Sequence, residues 1–143
     1  MTRVDFYSLE PSFRGNRFDF ACRLIEKIRT QGLRVLVHCP DIAQARALDR
    51  LLWTFRDEAF VPHGLVGQVD AEWTPVLISP NGEPVVENQV LINLAQEVPD
   101  FFSRFQRVCE LIDQAPRVLT AGRQRWAWYK QQSVRLEHHR IGG

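Results

Sequence analysis

A short segment near the C-terminus carries the residues whose types and spacing are best suited to chemistry. From Pro116 it reads PRVLTAGRQRWAWYKQQSV, and in a helix Leu119, Arg123, Trp126 and Lys130 fall on one face. The guanidinium of an arginine can hold a carboxylate through two parallel hydrogen bonds. The indole and the leucine side chain can hold an apolar group. This face therefore suits an extended anionic peptide with a hydrophobic end.

The residues alone leave two other interpretations of this face open. Aromatic rings close to arginine also suit single-stranded nucleic acid, whose bases stack on the rings. Alternatively, Trp126 covers the core and the cations are merely solvated. Val118, Gly122 and Tyr129 lie on a neighbouring face of the same helix, which we predict to pack on the rest of the fold.

The charge distribution bears on the choice between these interpretations. The formal net charge is +1, but residues 1–116 carry 12 Lys and Arg against 16 Asp and Glu. Residues 117–143 carry six basic residues and one acidic residue. A basic end on an acidic body favours an anionic partner. A solvated helix and tail with no partner would show the same asymmetry, so charge alone does not decide the matter.

Local signatures of catalysis and of cofactor binding are absent from the sequence. Residues 10–17, after the first predicted strand, contain one glycine, and no GxGxxG, GxxxxGK[ST] or GxSxG motif occurs. His63 is a lone histidine beside a turn, which favours a packing or interface role over that of a catalytic base. Cys22, Cys39 and Cys109 are widely separated, and we expect buried thiols. We predict a non-catalytic protein with no metal and no cofactor.

Hydrophobic periodicity and turn residues predict an α/β fold. Strands are predicted at residues 4–9, 33–38, 76–79, 89–94 and 107–112. Helices are predicted at residues 13–31, 42–53 and about 116–134, with a short helix through Phe102 and Arg104, a turn at residues 80–84 and a short C-terminal tail. The alternation predicts a single domain, residues 1–143, with an open, mostly parallel sheet and helices on both faces.

The sequence shows no signal for a membrane or for secretion. No apolar run approaches the roughly 18 residues that a bilayer span requires. The N-terminal MTRVDFYSLEP lacks the apolar centre of a secretory signal. We therefore expect a cytoplasmic protein without a membrane partner.

Six short motifs, distributed in order over nearly the whole chain, carry a resemblance to a known family. They are Phe6-Tyr7-x-Leu9, Arg34-Val-Leu-Val-x-Cys39-x-Asp41, Ala47-Leu-Asp49-x-x-Leu52-Trp53, Phe60-Val-Pro-His63-x-Leu65-x-Gly67, Val90-Leu-Ile92 and Arg123-x-Arg125-Trp126-x-x-Tyr129-Lys130. The Leu-Asp-x-x-Leu-Trp and Phe-Val-Pro-His pieces are the most specific. With these motifs the sequence resembles the chi subunit of bacterial DNA polymerase III holoenzyme.

The resemblance implies an accessory role in DNA replication. Chi proteins have a Rossmann-like fold without nucleotide chemistry. They pair with the psi subunit, which ties them to the clamp loader, and they bind the acidic C-terminal tail of single-stranded DNA-binding protein, which ends in phenylalanine. The expected contact with DNA is therefore indirect, and direct binding of single-stranded nucleic acid is the alternative function.

The resemblance also implies roles for individual residues of the C-terminal helix. Arg123 would hold the terminal carboxylate of the tail, Trp126 would line the pocket for its last side chain, and Ile112 would add an apolar wall. Leu119 and Ala127 stand where the family pattern has lysine, which makes this face less basic. Lys130 and Leu119 complete the predicted tail-binding set.

A second region matches the part of the family that contacts psi. It comprises Trp53, Phe60, Val61, Pro62 and His63. An aromatic-proline cluster after a helix is equally compatible with a place in the core, so the residues alone leave both interpretations open.

Overall fold

The computed structural model describes residues 1–55, 62–80 and 89–142. Within these residues the strands are β1 (Arg3–Leu9), β2 (Val35–His38), β3 (His63–Leu65), β4 (Val76–Ser79), β5 (Val90–Asn93), β6 (Arg107–Ile112) and β7 (Arg135–Ile141). The helices are α1 (Arg17–Thr30), α2 (Ile42–Thr54) and α3 (Pro116–Lys130), and a single 3-10 turn covers Phe102–Arg104.

The strands form one sheet in the order β3-β4-β2-β5-β6-β1-β7. All the strand pairings in this sheet are parallel, which is more uniform than the mostly parallel arrangement predicted. Parallel neighbours need crossover connections, and α1, α2 and α3 provide three of them. The Rossmann-like α/β prediction is confirmed.

Alternate residues of the buried strands pack on two separate cores. Val35 and Val37 of β2 face the core that α1 and α2 cover, whereas Leu36 between them faces the core beneath α3. These strand residues are fully buried, as expected for a parallel sheet covered on both faces. The prediction of helices on both faces is therefore confirmed.

The start of α1 differs from its prediction. Asn16 accepts hydrogen bonds from the backbone N–H groups of Phe18 and Asp19, and the Asp19 carboxylate accepts one from the Asn16 N–H at 2.7 Å. This capping box begins the helix at Arg17, not at Phe13. The predicted end is close, because Gly32 follows with a φ of +78°, which glycine adopts readily.

The C-terminal prediction is wrong in one respect. The last helix ends at Lys130 and not near residue 134, and the predicted tail contains strand β7, which pairs in parallel with β1. Its sequence RLEHHRI has few apolar residues because β7 is an edge strand. Leu136 packs on the core beneath α3 and Ile141 on the core beneath α1. Strand β3, at the other edge, was also not predicted.

Other local predictions are confirmed where the structure describes them. Asp41 caps α2 by accepting a hydrogen bond from the Gln44 N–H at 2.8 Å, and Pro116 opens α3. Cys22, Cys39 and Cys109 are buried free thiols. The predicted turn at 80–84 lies outside the described residues after position 80. Among the described residues, no helix has the length and apolarity needed to cross a bilayer.

Candidate peptide-binding site

A cavity of about 350 Å³ lies between α3 and the strands at one end of the sheet. Strand β1 contributes Phe6 and Ser8, β6 contributes Ile112, and β7 contributes His138; the helix adds Gly122, Arg123 and Trp126. The strand residues reach the same cavity because alternate side chains of neighbouring parallel strands point to the same face. The site therefore depends on the C-terminal strand as well as on the helix.

The indole of Trp126 forms one wall of this cavity. Its ring packs edge-on against Phe6, with 5.1 Å between centroids and 85° between planes, and lies 5.8 Å from the ring of His138. The Nε2 atom of His138 is 2.8 Å from the Ser8 hydroxyl. These contacts fix the orientation of a ring that is only partly buried, so that one part of it remains available to a ligand.

Gly122 allows the helix to approach the sheet closely at this point. A Cβ atom at position 122 would lie 2.5 Å from Cδ1 of Ile112, far inside van der Waals contact. Any other residue would therefore displace the isoleucine side chain that forms the opposite wall.

Arg123 provides the positive charge at the rim of the cavity. The residue is exposed, and no carboxylate among the described residues pairs with it. An apolar cleft with one available guanidinium can take an apolar group attached to a carboxylate.

Beneath α3 a buried polar network holds the helix against the sheet. Nε of Arg125 donates to Oε1 of Glu110 at 2.8 Å, and the Tyr129 hydroxyl donates to Oε2 at 2.8 Å. Asn93 also donates to Oε2, at 2.9 Å. Burial raises the pKa of the Glu110 carboxyl, and Arg125, Asn93 and Tyr129 oppose that shift. Because Arg125 and Tyr129 flank Trp126 in sequence, this network sets the rotation of the helix at the cavity.

The network corrects the charge count made from the sequence. Arg125 was counted among the six basic residues of the C-terminal segment, but it is only 4% exposed and paired with Glu110. Its charge therefore contributes little to the field outside the protein. The predicted packing face is confirmed, since Gly122 and Tyr129 are buried and Val118 packs against the core.

The cavity contains three of the five residues predicted for tail binding. Ile112, Arg123 and Trp126 meet there, whereas Leu119 and Lys130 do not line it. Leu119 is partly buried against the core beneath α3, and Lys130 is exposed at the last position of the helix. Both residues share the helix face of Arg123, but they are displaced along the helix axis, Leu119 by about 6 Å toward the start and Lys130 by about 10 Å toward the end.

The sequence prediction missed Phe6, Ser8 and His138. All three lie on strands, and only the order of β6, β1 and β7 in the sheet brings them to α3. For Phe6 and Ser8, the alternation of residues along β1 is a usable signal. For His138 the sequence offers no such signal, because β7 must first be recognised as a strand.

A second group of predicted residues lies near the β3 edge of the sheet. The ring centroid of Trp53, a residue that is 57% exposed, is 4.9 Å from that of His63. The Nε2 atom of His63 is 3.3 Å from Oδ1 of Asp49, and the His63 side chain is almost fully buried. Pro62 is exposed, and Phe60 and Val61 lie outside the described residues.

The described residues contain no group of three or more His, Cys, Asp or Glu side chains placed to hold a metal ion.

A family model for the DNA polymerase III chi subunit, HolC, matches residues 1–137. The chain belongs to this chi-subunit family. The chi subunit of Pseudomonas aeruginosa is 43% identical over 141 residues, which cover 99% of this chain and 98% of the relative. The chi subunit of Haemophilus influenzae is 32% identical over 140 residues, 97% of each chain. That of Escherichia coli is 31% identical over 110 residues, which cover 76% of this chain and 75% of the relative.

Two solved structures share the fold of this chain. A chain in the crystal structure of T4 UvsW superimposes with a TM-score of 0.69 at 11% identity, over 99% of this chain and 42% of that one. Domain 2 of the DEAD-box helicase Mss116p, bound to an RNA duplex, gives a TM-score of 0.62 at 11% identity, over 100% of this chain and 65% of that one. At this identity the likeness concerns the fold alone.

Proposed function

We propose that this chain is a non-catalytic accessory subunit of the bacterial replicase that binds the acidic C-terminal tail of single-stranded DNA-binding protein. Through the psi subunit it would link that protein to the clamp loader. The observation that carries the proposal is the cavity between α3 and the sheet, where the guanidinium of Arg123 stands beside an apolar cleft. Membership of the chi family supports it.

The proposed ligand has two groups that need separate partners. Its terminal phenylalanine ring needs an apolar cleft, which Ile112, Phe6 and the indole of Trp126 supply. Its terminal carboxylate needs a cation at the rim of that cleft, and a bidentate hydrogen bond from Arg123 meets this need. Both groups lie on the same residue of the tail, so the cavity wall and Arg123 must be neighbours, as they are.

Lys130 has a different role in this proposal. It lies nearly two turns beyond Arg123 on α3 and outside the cavity, in position to attract acidic residues upstream in the tail. Such exposed attraction is screened by salt. We expect Lys130 to contribute less than Arg123 and in a more salt-dependent way.

The proposed psi-facing surface includes Trp53, Pro62 and His63, with Phe60 and Val61 in the same segment of sequence. A tryptophan that is 57% exposed, beside an edge strand, is the kind of residue that anchors a protein interface. The pairing of His63 with Asp49 would hold the tryptophan in place, since His63 lies against its ring.

A matched pair of tryptophan substitutions on α3 tests the proposal. Trp126 lines the cavity, whereas Trp128, 40% exposed, lies outside it and packs against Phe102. We expect Trp126→Ala to abolish capture of single-stranded DNA-binding protein in a pull-down, and Trp128→Ala to leave it intact. Equal loss in both variants, or capture of a partner lacking its last residues, would contradict the proposed site.

An oligonucleotide titration separates the proposal from direct nucleic-acid binding. The protein is titrated with labelled single-stranded oligothymidylate and no partner protein. We expect no tight binding that depends on Arg123. Tight binding that is lost in Arg123→Ala would favour the alternative function.

A further inference from the structure

A second cavity, here called the α1 cavity, lies on the opposite face of the sheet between α1 and strands β1, β6 and β7. Its volume is about 550 Å³, within the usual range for small-molecule sites. The side chains that line it include five basic ones: Arg3, Arg23, Lys27, Arg107 and His139. No acidic side chain lines it among the described residues.

Three of these basic residues are fixed by one buried carboxylate. Asp5 is fully buried and lies 3.1 Å from Nε of Arg3, 2.9 Å from Nε of Arg107 and 2.9 Å from Nε2 of His139. Burial alone would raise the pKa of Asp5, but the hydrogen bonds from His139 and Arg107 outweigh it and lower the pKa. The carboxylate thus orients three donors while neutralising only one charge.

The other two basic residues are contributed by the helix. Arg23 and Lys27 are one turn apart on α1 and exposed, and no carboxylate of the described residues pairs with either. Glu137 lies on the edge strand β7, and its Oε1 atom is 3.3 Å from Nε of Arg135, which balances the negative charge of the carboxylate. The α1 cavity therefore holds a surplus of positive charge, which attracts anions.

The floor of the α1 cavity is apolar. Phe20 and Leu24 of α1 and Ile141 of β7 contribute to it. A site for inorganic phosphate alone would need only the cations. The apolar floor, together with the volume, fits an anion that also carries a flat apolar group.

We propose that the α1 cavity binds the phosphate of a nucleotide, with the nucleoside against the apolar floor. The guanidinium groups of Arg3 and Arg107, preset by Asp5, and the helical pair Arg23 and Lys27 would surround the phosphate. This site is separate from the peptide-binding cavity, because Tyr7 and His139 face α1 whereas Phe6 and His138 face α3.

Binding of ADP to the full chain, measured by calorimetry and by amide NMR shifts, tests the proposal. The variant Arg23→Gln/Lys27→Gln removes two exposed cations spaced by four and leaves the buried Asp5 cluster intact. The control Arg46→Gln/Arg50→Gln makes the same change at the same spacing on exposed positions of α2, away from the α1 cavity.

We expect ADP to bind at millimolar or lower concentration and to shift amides in α1 and β7. The Arg23→Gln/Lys27→Gln variant should weaken binding by about tenfold or more, as expected for lost charge-assisted hydrogen bonds, and the α2 control should not. Adenosine without phosphate should not bind. Absence of ADP binding at millimolar concentration, or shifts centred on the Trp126 indole, would overturn the proposal, as would equal losses in the two variants.

The same assay identifies the source of the phosphate. Tighter binding of ADP than of a short oligothymidylate would point to a free nucleotide. Tighter binding of the oligothymidylate, lost in Arg23→Gln/Lys27→Gln but kept in Arg123→Ala, would point to the backbone of single-stranded DNA. Binding of inorganic phosphate with the same affinity as ADP would refute the role given to the apolar floor.

Discussion

Replacement of Arg125 by methionine would leave Glu110 without its cationic partner in the interior. Arg125 is 4% exposed and Glu110 fully buried, with 2.8 Å between Nε and Oε1. Removing one member of a buried ion pair typically costs about 3–5 kcal/mol, because the remaining charge has no compensation. We expect Arg125→Met to lower the free energy of unfolding by about that amount at neutral pH.

This loss should depend on pH with a definite sign. Burial raises the pKa of Glu110, and in Arg125→Met the opposing effect of the arginine is gone. A carboxyl group whose folded pKa is raised contributes stability that is present below its ordinary value of 4.5 and is lost as the pH rises. The loss of unfolding free energy in Arg125→Met should therefore be largest at neutral pH and should become smaller as the pH falls toward 4.5.

A second substitution separates the lost pair from lost packing. In Glu110→Gln/Arg125→Met the amide oxygen can still accept the hydrogen bonds from Asn93 and Tyr129, and no buried charge remains. The double variant should recover about 2 kcal/mol relative to Arg125→Met. Urea unfolding followed by tryptophan fluorescence and circular dichroism measures all three proteins. A deficit that does not change with pH, or a double variant less stable than the single one, would refute the reasoning.

Three further outcomes follow from the contacts described. Asp41→Ala removes the cap of α2 and should cost about 1 kcal/mol in urea unfolding. Asp5→Asn should destabilise by about 3 kcal/mol at neutral pH. Because the folded pKa of Asp5 is lowered, this difference should shrink as the pH falls below 3.8 and disappear only below the folded pKa, whereas a constant difference would contradict the account. His63→Ala should weaken psi binding by about 1–2 kcal/mol in calorimetry, because Trp53 loses its support, and unchanged affinity would remove His63 from the interface.

Much of the fold was predictable because most of its elements have strong local signals. The apolar run of β2 is buried on both faces, and Asp41 and Pro116 mark helix starts by well-understood chemistry. The predicted start of α1 was wrong because periodicity alone assigned the apolar residue Phe13 to the helix. Asn16, which follows Phe13, caps the helix instead.

The edge strands were harder to predict for a physical reason. An edge strand buries few residues, so β7 carries two histidines, two arginines and a glutamate in seven residues and lacks a hydrophobic pattern. Only its partner β1 identifies it as a strand. The short strand β3, at the opposite edge of the sheet, is hard to predict for the same reason.

The candidate site was predictable only as far as it depends on one helix. Spacing along α3 brought Arg123 and Trp126 together correctly, because helical geometry is local. The charge count placed Arg125 among the basic residues of the C-terminal segment, because a count of charges takes no account of burial against Glu110. The strand side of the cavity, with Phe6 and His138, depends on sheet order, which is a property of the whole chain.

The proposal that Arg123 holds the terminal carboxylate of an acidic tail is most directly tested by a double-mutant cycle in calorimetry. The wild-type chain and Arg123→Ala are each titrated with a tail peptide ending in phenylalanine, once with a free carboxylate and once as the C-terminal amide. We expect Arg123→Ala to weaken the free acid by about 1.5–3 kcal/mol and to leave the amide nearly unaffected, so that the coupling energy is of that same size. Equal losses for the free acid and the amide, with a coupling energy near zero, would contradict the account.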